Sequence, residues 1–148
     1  MPNSSIAIRT GALAALLASL YSGVACAALG ALPSSWDAPN EVRKSAGYTD
    51  RTTVLPSTTT LHEYIGADGN VFAVSWTGPT LPDFKALLGE YAAVMEAEVR
   101  SAPVAGRGGL SISTPTFKLQ SGGRARAFSG KAWIPNRLPA GFSPEVMP

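Results

Sequence analysis

Apolar and polar positions alternate along two neighbouring stretches, residues 59–66 and 70–77, in the way expected of half-buried β-strands. Both stretches are rich in β-forming residue types such as Thr, Val and Tyr. Between them lie Asp68 and Gly69, a dipeptide that readily adopts the positive φ angles of a two-residue type I′ turn. The pattern therefore predicts a β-hairpin that reverses at this turn.

The turn also predicts the register of the hairpin. On the face that we expect to be buried, Leu61 lies opposite Trp76, Glu63 opposite Val74 and Ile65 opposite Phe72. The other face carries the pairs His62 with Ser75, Tyr64 with Ala73 and Gly66 with Val71. Glu63 is the charged residue on the apolar face, and a buried carboxylate needs a partner.

A stripe of apolar residues after the hairpin predicts one amphipathic helix. Its members recur at spacings of three and four: Phe84, Leu87, Leu88, Tyr91, Met95 and Val99. Thr80 is the predicted N-cap and Pro82 suits the first turn of a helix. Asp83 lies where the helix dipole favours an anion.

A second hairpin is predicted from residues 110–120 and 124–134, with Gly122 and Gly123 as its turn. The register then pairs Phe117 with Phe128 and Leu119 with Arg126. Arg126 would lie on an apolar face, as Glu63 does. We therefore expect an ion pair between Glu63 and either Arg126 or Arg124.

These elements predict an α+β domain with the order ββαββ. Two β-hairpins would form an antiparallel sheet, and the amphipathic helix would pack on one of its faces. The single domain is expected to span residues 59–134. Residues 28–58 are expected to be a poorly ordered N-terminal segment, and residues 135–148 a Pro-rich tail.

Residues 1–27 have the pattern of a secretory signal peptide. Arg9 precedes an apolar run over residues 11–20, and Ala25-Cys26-Ala27 provides an A-x-A cleavage site. The apolar run is shorter than the roughly 20 residues of a membrane-spanning helix, which disfavours a retained anchor. Lipidation at Cys26 is a further alternative, but Gly23 stands where lipoprotein signals favour a Leu-like residue. We expect cleavage after Ala27, export to the periplasm or medium, and no membrane span afterwards.

The inventory of reactive residues is small. Cys26 is the single cysteine of the 148-residue chain, so cleavage after Ala27 would remove the thiol. His62 is the single histidine, and the acids are not spaced as calcium ligands. We therefore expect no metal site and no cofactor.

Charge is unevenly distributed along the chain, although the formal net charge is only +2. Acids outnumber bases over residues 28–98, whereas bases dominate from Val99 onward, where Glu145 is the one acid. The basic part could face an anionic component of the cell envelope, or the two parts could attract each other within one domain. The bases are not interleaved with aromatic residues, so we expect no nucleic-acid partner.

Two groups of residues are candidates for function. Arg124, Lys131, Arg137 and Trp133 form the candidate binding surface, whereas Trp76 is expected to close the core. Alternatively, His62 and Ser75 face each other as a base and a nucleophile. Against catalysis, Glu63 points to the opposite face of its strand and cannot orient the His62 imidazole as a triad acid would.

Several motifs follow each other in an order that resembles one family of exported bacterial proteins. They are ALG (28–30), LHEY (61–64), GNVFAVSWTGP (69–79), LPDF (81–84), LLGEY (87–91), SGG (121–123), AFSGKA (127–132), IP (134–135) and LPAG (138–141). The chain resembles domain-of-unknown-function family 2844 over nearly all of its length after residue 27. The resemblance implies export and a Gram-negative envelope location, but no reaction. His62 stands where family members tend to carry a basic residue.

The sequence as a whole favours a small exported domain that acts by binding, as an accessory protein of the cell envelope. Its expected partner is an envelope protein or an anionic envelope component. One alternative is an envelope hydrolase that uses His62 and Ser75. Another is a structural subunit that assembles through an unpaired sheet edge.

Overall fold

The computed structural model describes residues 29–33, 39–101 and 109–148. The predicted signal peptide, residues 1–27, lies outside the described residues. The described chain forms seven strands: β1 (Glu41–Ser45), β2 (Tyr48–Val54), β3 (Thr60–Gly66), β4 (Val71–Gly78), β5 (Leu110–Ser113), β6 (Lys118–Arg124) and β7 (Ala127–Trp133). Helices α1 (Phe84–Leu88) and α2 (Tyr91–Ser101) lie between β4 and β5, and short 3-10 turns span Pro135–Arg137 and Pro144–Val146.

The strands make one antiparallel sheet in the order β1-β2-β3-β4-β7-β6-β5. The predicted ββαββ order is therefore wrong, because the sheet has seven strands and not four. Strands β1 and β2 extend the sheet from a stretch in which we expected no regular structure. Their residues are mostly polar, and every residue of β1 is exposed. Such strands form because β3 offers an unpaired edge, which a search for apolar alternation does not detect.

The register of the first hairpin is confirmed for four pairs, from Leu61 with Trp76 to Tyr64 with Ala73. Its turn differs from the prediction. Gly69 N–H donates to Gly66 O at 3.0 Å, and Gly66 N–H donates to Asn70 O at 2.9 Å. Gly69 has a φ of 81°, whereas Asp68 is not among the described residues with positive φ. The loop is thus the three-residue form in which a left-handed glycine follows an ordinary turn.

A β-bulge follows from this longer loop. The register shifts between Tyr64 and Ile65, and Ile65 pairs with Val71 instead of Phe72. An extra residue on one strand changes the face of the residues beyond it. Phe72 consequently lies on the opposite face from Val74, which corrects the predicted apolar face.

The predicted single helix is broken in two at Gly89, which has φ 54° and ψ −124°. A left-handed residue cannot continue an α-helix, and glycine adopts this conformation at little cost. The N-cap of α1 is Asp83, whose Oδ1 accepts from Lys85 N at 2.9 Å and Ala86 N at 3.3 Å. Thr80, the predicted cap, instead binds the hydroxyl of Thr59 at 2.9 Å.

The second hairpin turns at Ala125 and Arg126, because Arg124 pairs with Ala127. The predicted pairs Phe117 with Phe128 and Leu119 with Arg126 are therefore wrong, and Leu119 pairs with Ala132. Gly122 and Gly123 lie inside β6. At Gly123 an added Cβ would collide with the backbone of Ala127 and Phe128, so this glycine permits close strand contact and does not mark the turn.

Buried side chains form a cluster on each face of the sheet. On the helix face, Leu61 and Trp76 are fully buried beneath α1, and the Trp76 and Phe84 rings are 5.4 Å apart. On the other face, which we call the C-terminal face, the cluster comprises Tyr64, Phe72, Ala73, Trp133, Phe142 and Met147. Residues 135–148, predicted as a Pro-rich tail, supply Phe142 and Met147 to it, so they are an integral part of the core.

Candidate functional site

An open groove of about 550 Å³ lies on the C-terminal face of the sheet over β5, β6 and β7. Cross-strand pairing brings Ser111, Gln120 and Lys131 together at its floor, with Ser129 beside them. Met147 and Pro148 lie at its end. The groove exists because residues 135–148 cover only part of this face and leave these polar side chains accessible.

Positive charge collects on the face of the sheet that carries the groove, and Lys131 is the charged side chain among the groove's lining residues. Alternation along the strands places Lys118 and Arg124 on the same face as Gln120 and Lys131, outside the lining of the groove. Arg124 and Lys131 are separated by about 13 Å along the strands, at about 3.3 Å per residue. The chain contains no Asp or Glu between Val99 and Pro144. The groove therefore combines uncharged hydrogen-bonding groups with a positive field, as an anionic ligand requires.

Lys131 is held in place before any ligand arrives. Its Nζ donates to the carbonyl oxygen of Pro144 at 2.9 Å and so connects β7 to the C-terminal segment. An ammonium group carries three donors, and this bond engages one of them. Glu145 directly follows Pro144 and is therefore the nearest acid in sequence to this contact. Its side chain is exposed.

The structure brings together only part of the binding surface predicted from sequence. Arg124 and Lys131 share the C-terminal face, and Arg124 is exposed at the end of its hairpin. Trp133 also lies on this face, but it is 8% exposed beneath the C-terminal segment. Arg137 lies apart, where its Nη1 donates to Gly30 O at 3.1 Å.

Glu63 is paired with a different arginine from the one predicted. It is fully buried on the helix face, and its Oε2 lies 3.8 Å from Nε of Arg51, directly opposite on β2. Arg126 is exposed in the second turn, and Arg124 lies on the other face of the sheet. The expected pair of Glu63 with Arg126 or Arg124 is therefore wrong. The sequence did not indicate Arg51 as the partner, because strand β2 was not predicted.

A second polar cluster occupies the C-terminal face over β2, β3 and β4. Nδ1 of His62 lies 3.1 Å from Asp50 Oδ1 and 3.2 Å from Thr52 Oγ1. The His62 and Tyr64 rings are nearly parallel, with centroids 6.2 Å apart. Burial raises the pKa of Tyr64 to about 12, an effect opposed by its interaction with the Ser75 hydroxyl. Tyr64 is consequently neutral at any physiological pH.

The cluster has an acid and a base, but its serine, Ser75, is not accessible as a nucleophile. Asp50 orients His62, a role for which the sequence pointed only to Glu63. Ser75 lies across from His62, as predicted, yet it is fully buried, and its hydroxyl has no hydrogen bond of standard geometry. Strand β4 is hydrogen-bonded on both sides, so its backbone N–H groups are not available to bind an oxyanion. This geometry favours a structural role for the cluster.

Sequence reasoning missed the polar groups that line the groove. Ser111, Gln120 and Ser129 carry no motif, and only the register of β5, β6 and β7 brings them together. Once that register is known, the polar residues at alternate positions of β6 indicate a polar surface on this face of the sheet. The sequence did not indicate Asp50 as the partner of His62, because strand β2 was not predicted.

Two further properties concern only the described part of the chain. Within it, no group of three or more His, Cys, Asp or Glu side chains is placed to hold a metal ion. None of its helices has the length and apolar character needed to cross a membrane.

The edges of the described sheet differ in character. β1 carries Glu41, Arg43 and Lys44, and Glu41 and Arg43 form an exposed ion pair at 2.7 Å. Charged residues on an edge strand disfavour pairing with another chain. β5, at the opposite edge, has the sequence LSIS and no charge, so assembly through a sheet edge would use β5.

Comparison with known proteins identifies the family. The family model described as a protein of unknown function (DUF2844) matches residues 25–147, a range that includes every strand of the sheet. No curated protein and no solved structure matches the chain significantly. The match confirms the resemblance inferred from the sequence motifs. Because the model covers most of the chain, this protein belongs to the DUF2844 family.

Proposed function

We propose that this protein is exported and acts by binding an anionic component of the cell envelope. The ligand would lie in the groove over β5, β6 and β7. One observation carries the proposal: an open, hydroxyl-lined groove lies in the half of the sheet that has basic residues and no acid. Lys131 would bind an anionic group in the groove, while Ser111, Gln120 and Ser129 would bind neutral polar groups. Arg124, on the same face and about 13 Å from Lys131 along the strands, would bind a second anionic group of an extended ligand.

Export is tested by expressing the full chain with a C-terminal tag in a Gram-negative host. The expected product is found in the periplasmic fraction or the medium, and its N-terminal residue is Ala28. A tagged product that stays in the cytoplasm with Met1 intact would contradict export. A membrane-bound product would indicate a retained anchor or lipidation at Cys26.

Binding is tested with purified lipopolysaccharide, an anionic envelope component, and with polygalacturonate, an anionic polysaccharide of different chemistry. The expected result is binding that weakens as salt is raised, because exposed charges are screened within about 8 Å at physiological ionic strength. Lys131→Gln and Arg124→Gln should each weaken binding several-fold. Lys44→Gln is the matched control, since Lys44 is exposed on β1 at the far edge of the sheet.

The outcomes separate binding from its alternatives. Equal binding by Lys44→Gln and Lys131→Gln would place the anion elsewhere on the protein. No binding of either polymer would contradict the proposal. Labelling of Ser75 by an active-site serine probe would favour the hydrolase, which the burial of Ser75 disfavours.

A further inference from the structure

A second cavity, of about 260 Å³, lies at the end of the sheet near the first hairpin turn. Separate parts of the chain converge there. Gly47 comes from the turn between β1 and β2, Asp68 from the turn between β3 and β4, and Arg137 from the C-terminal segment. Phe72 and Pro139 provide apolar surface. The groove proposed above does not share any of these residues.

The cavity carries one acid and one base that do not contact each other directly. Asp68 and Arg137 both line it, and their side chains are farther apart than the 4.0 Å of an ion pair. They still interact electrostatically. The pKa of Asp68 is lowered, mainly by hydrogen bonds from Asn70 and also by the charge of Arg137. Asp68 is therefore an anion at neutral pH, facing a permanent cation across the cavity.

Both charged groups are oriented by the protein itself. The Asp68 carboxylate accepts from Asn70 N at 3.1 Å and from Asn70 Nδ2 at 3.0 Å. Arg137 donates from Nη1 to Gly30 O at 3.1 Å. A carboxylate has about four acceptor positions and a guanidinium has five N–H donors, so each group keeps capacity for a ligand. Orientation before binding lowers the entropic cost of holding one.

Glycine at position 66 leaves room for the carboxylate in this place. A Cβ at Gly66 would lie 2.9 Å from Asp68 Oδ1, closer than real Cβ contacts allow. A larger residue would therefore push the carboxylate away from its present position.

We propose that this cavity binds a small zwitterion in which a primary ammonium group lies a few ångströms from an anionic group. The ammonium would donate to Asp68, and the anionic group would accept from Arg137. The apolar part of the ligand would lie against Pro139. A free α-amino acid and a phosphoethanolamine headgroup both have this chemistry, and the size of the cavity admits either.

The test is a titration of the protein with L-alanine and, separately, with O-phosphoethanolamine, followed by amide chemical shifts in NMR. Saturable shifts are expected at Gly47, Gly66 and Ala67, with a dissociation constant of about 1 mM for a ligand held by two charge-assisted contacts. N-acetylalanine lacks the ammonium group and alanine amide lacks the carboxylate. Each should bind about ten-fold more weakly. The zwitterion that binds more tightly indicates whether the ligand is a free α-amino acid or a phosphoethanolamine headgroup.

Variants test whether Asp68 and Arg137 bind the two charged groups of the ligand. Asp68→Asn keeps an acceptor for the amide of Asn70, so the turn should persist while zwitterion affinity falls about ten-fold or more. Arg137→Gln should have the same effect, and Arg137→Lys should retain part of the affinity. Glu98→Gln and Arg100→Gln are matched controls on the exposed surface of α2 and should bind normally.

Several results would overturn the proposal. They are the absence of saturable shifts at the cavity, equal binding of the singly charged analogues, and undiminished binding by folded Asp68→Asn and Arg137→Gln. Binding of polygalacturonate should be unaffected by Asp68→Asn. The failure of one proposed site therefore leaves the other independently testable.

Discussion

Arg51 and Glu63 lie directly opposite each other on β2 and β3, with Arg51 Nε 3.8 Å from Glu63 Oε2. The Glu63 side chain is fully buried and that of Arg51 is 15% exposed. Removing one partner of such a pair leaves a charge in the core without its counterion. The pair therefore fixes β2, a mostly polar strand, to the register that the core strand β3 requires.

Arg51→Met is predicted to lower the free energy of unfolding by about 3 kcal/mol, because it removes the cation that lies beside the buried Glu63 carboxylate. The double variant Arg51→Met/Glu63→Leu should recover most of this loss. Arg124→Ala and Arg126→Ala change exposed side chains that do not contact Glu63, and each should change stability by less than about 0.5 kcal/mol. Urea denaturation measures all four proteins, and a large effect of Arg126→Ala alone would contradict the observed pairing.

Loss of stability at alkaline pH is predicted from Tyr64. Its folded-state pKa is raised to about 12 by burial, whereas an unfolded tyrosine titrates near 10. Between these values the unfolded chain has lost the proton that the folded chain keeps. This contribution to stability is thus fully present below about pH 10 and falls by about 2 kcal/mol as the pH rises to about 12.

Denaturation at a series of pH values tests this dependence. Tyr64→Phe removes the titrating group and should flatten that part of the stability profile. Ultraviolet absorbance of tyrosinate should show a late-titrating component in the parent protein that is missing in the variant. A steep alkaline loss of equal size in Tyr64→Phe would assign it to another group.

Gly130→Ala is predicted to be strongly destabilising, because its Cβ would overlap the fully buried Trp76 ring. Overpacking of this kind costs about 1 to 3 kcal/mol, and more where neither group can move. Gly122→Ala, on the neighbouring strand, is the matched control, since the nearest atom to its Cβ is Gly109 Cα at 3.9 Å. That variant should differ from the parent by less than about 1 kcal/mol in thermal denaturation. Similar losses in both variants would contradict the close packing at Trp76.

Phe142→Ala is predicted to lower the free energy of unfolding by about 3 kcal/mol or more. The Phe142 ring contacts those of Phe72, Tyr48 and Tyr64 at centroid distances of 4.9, 5.0 and 5.3 Å. Val146→Ala is the control in the same segment, because Val146 is 65% exposed and should contribute less than about 0.5 kcal/mol. A negligible effect of Phe142→Ala would mean that residues 135–148 do not pack on the sheet.

The first hairpin was predictable because its information is local. Asp68 and Gly69 mark the turn region, and alternation places Leu61 opposite Trp76, as observed. The N-cap was misplaced by three residues, at Thr80 instead of Asp83, because both residue types can cap a helix. For the candidate site, the cations Arg124 and Lys131 were identified, but the neutral residues of the groove were not.

The predicted register of the second hairpin was wrong because glycine has more than one structural use. Gly122 and Gly123 resemble a turn, yet the chain turns at Ala125 and Arg126, and Arg126 adopts a φ of 65°. Packing decides this register, since it brings Leu119 and Ala132 into the buried cluster. Burial of this apolar surface outweighs the strain of one left-handed arginine.

The sequence alone determined family membership, the central hairpin, the positions of the helical residues and the concentration of basic residues in the second half of the chain. These features depend on residue order and on interactions between near neighbours. Tertiary structure decided the strands β1 and β2, the partner of Glu63, the covering of one sheet face by residues 135–148, and the groove. Each of these arises from contacts between residues that are distant in sequence, where free energy depends on which surfaces are buried together and not on local periodicity.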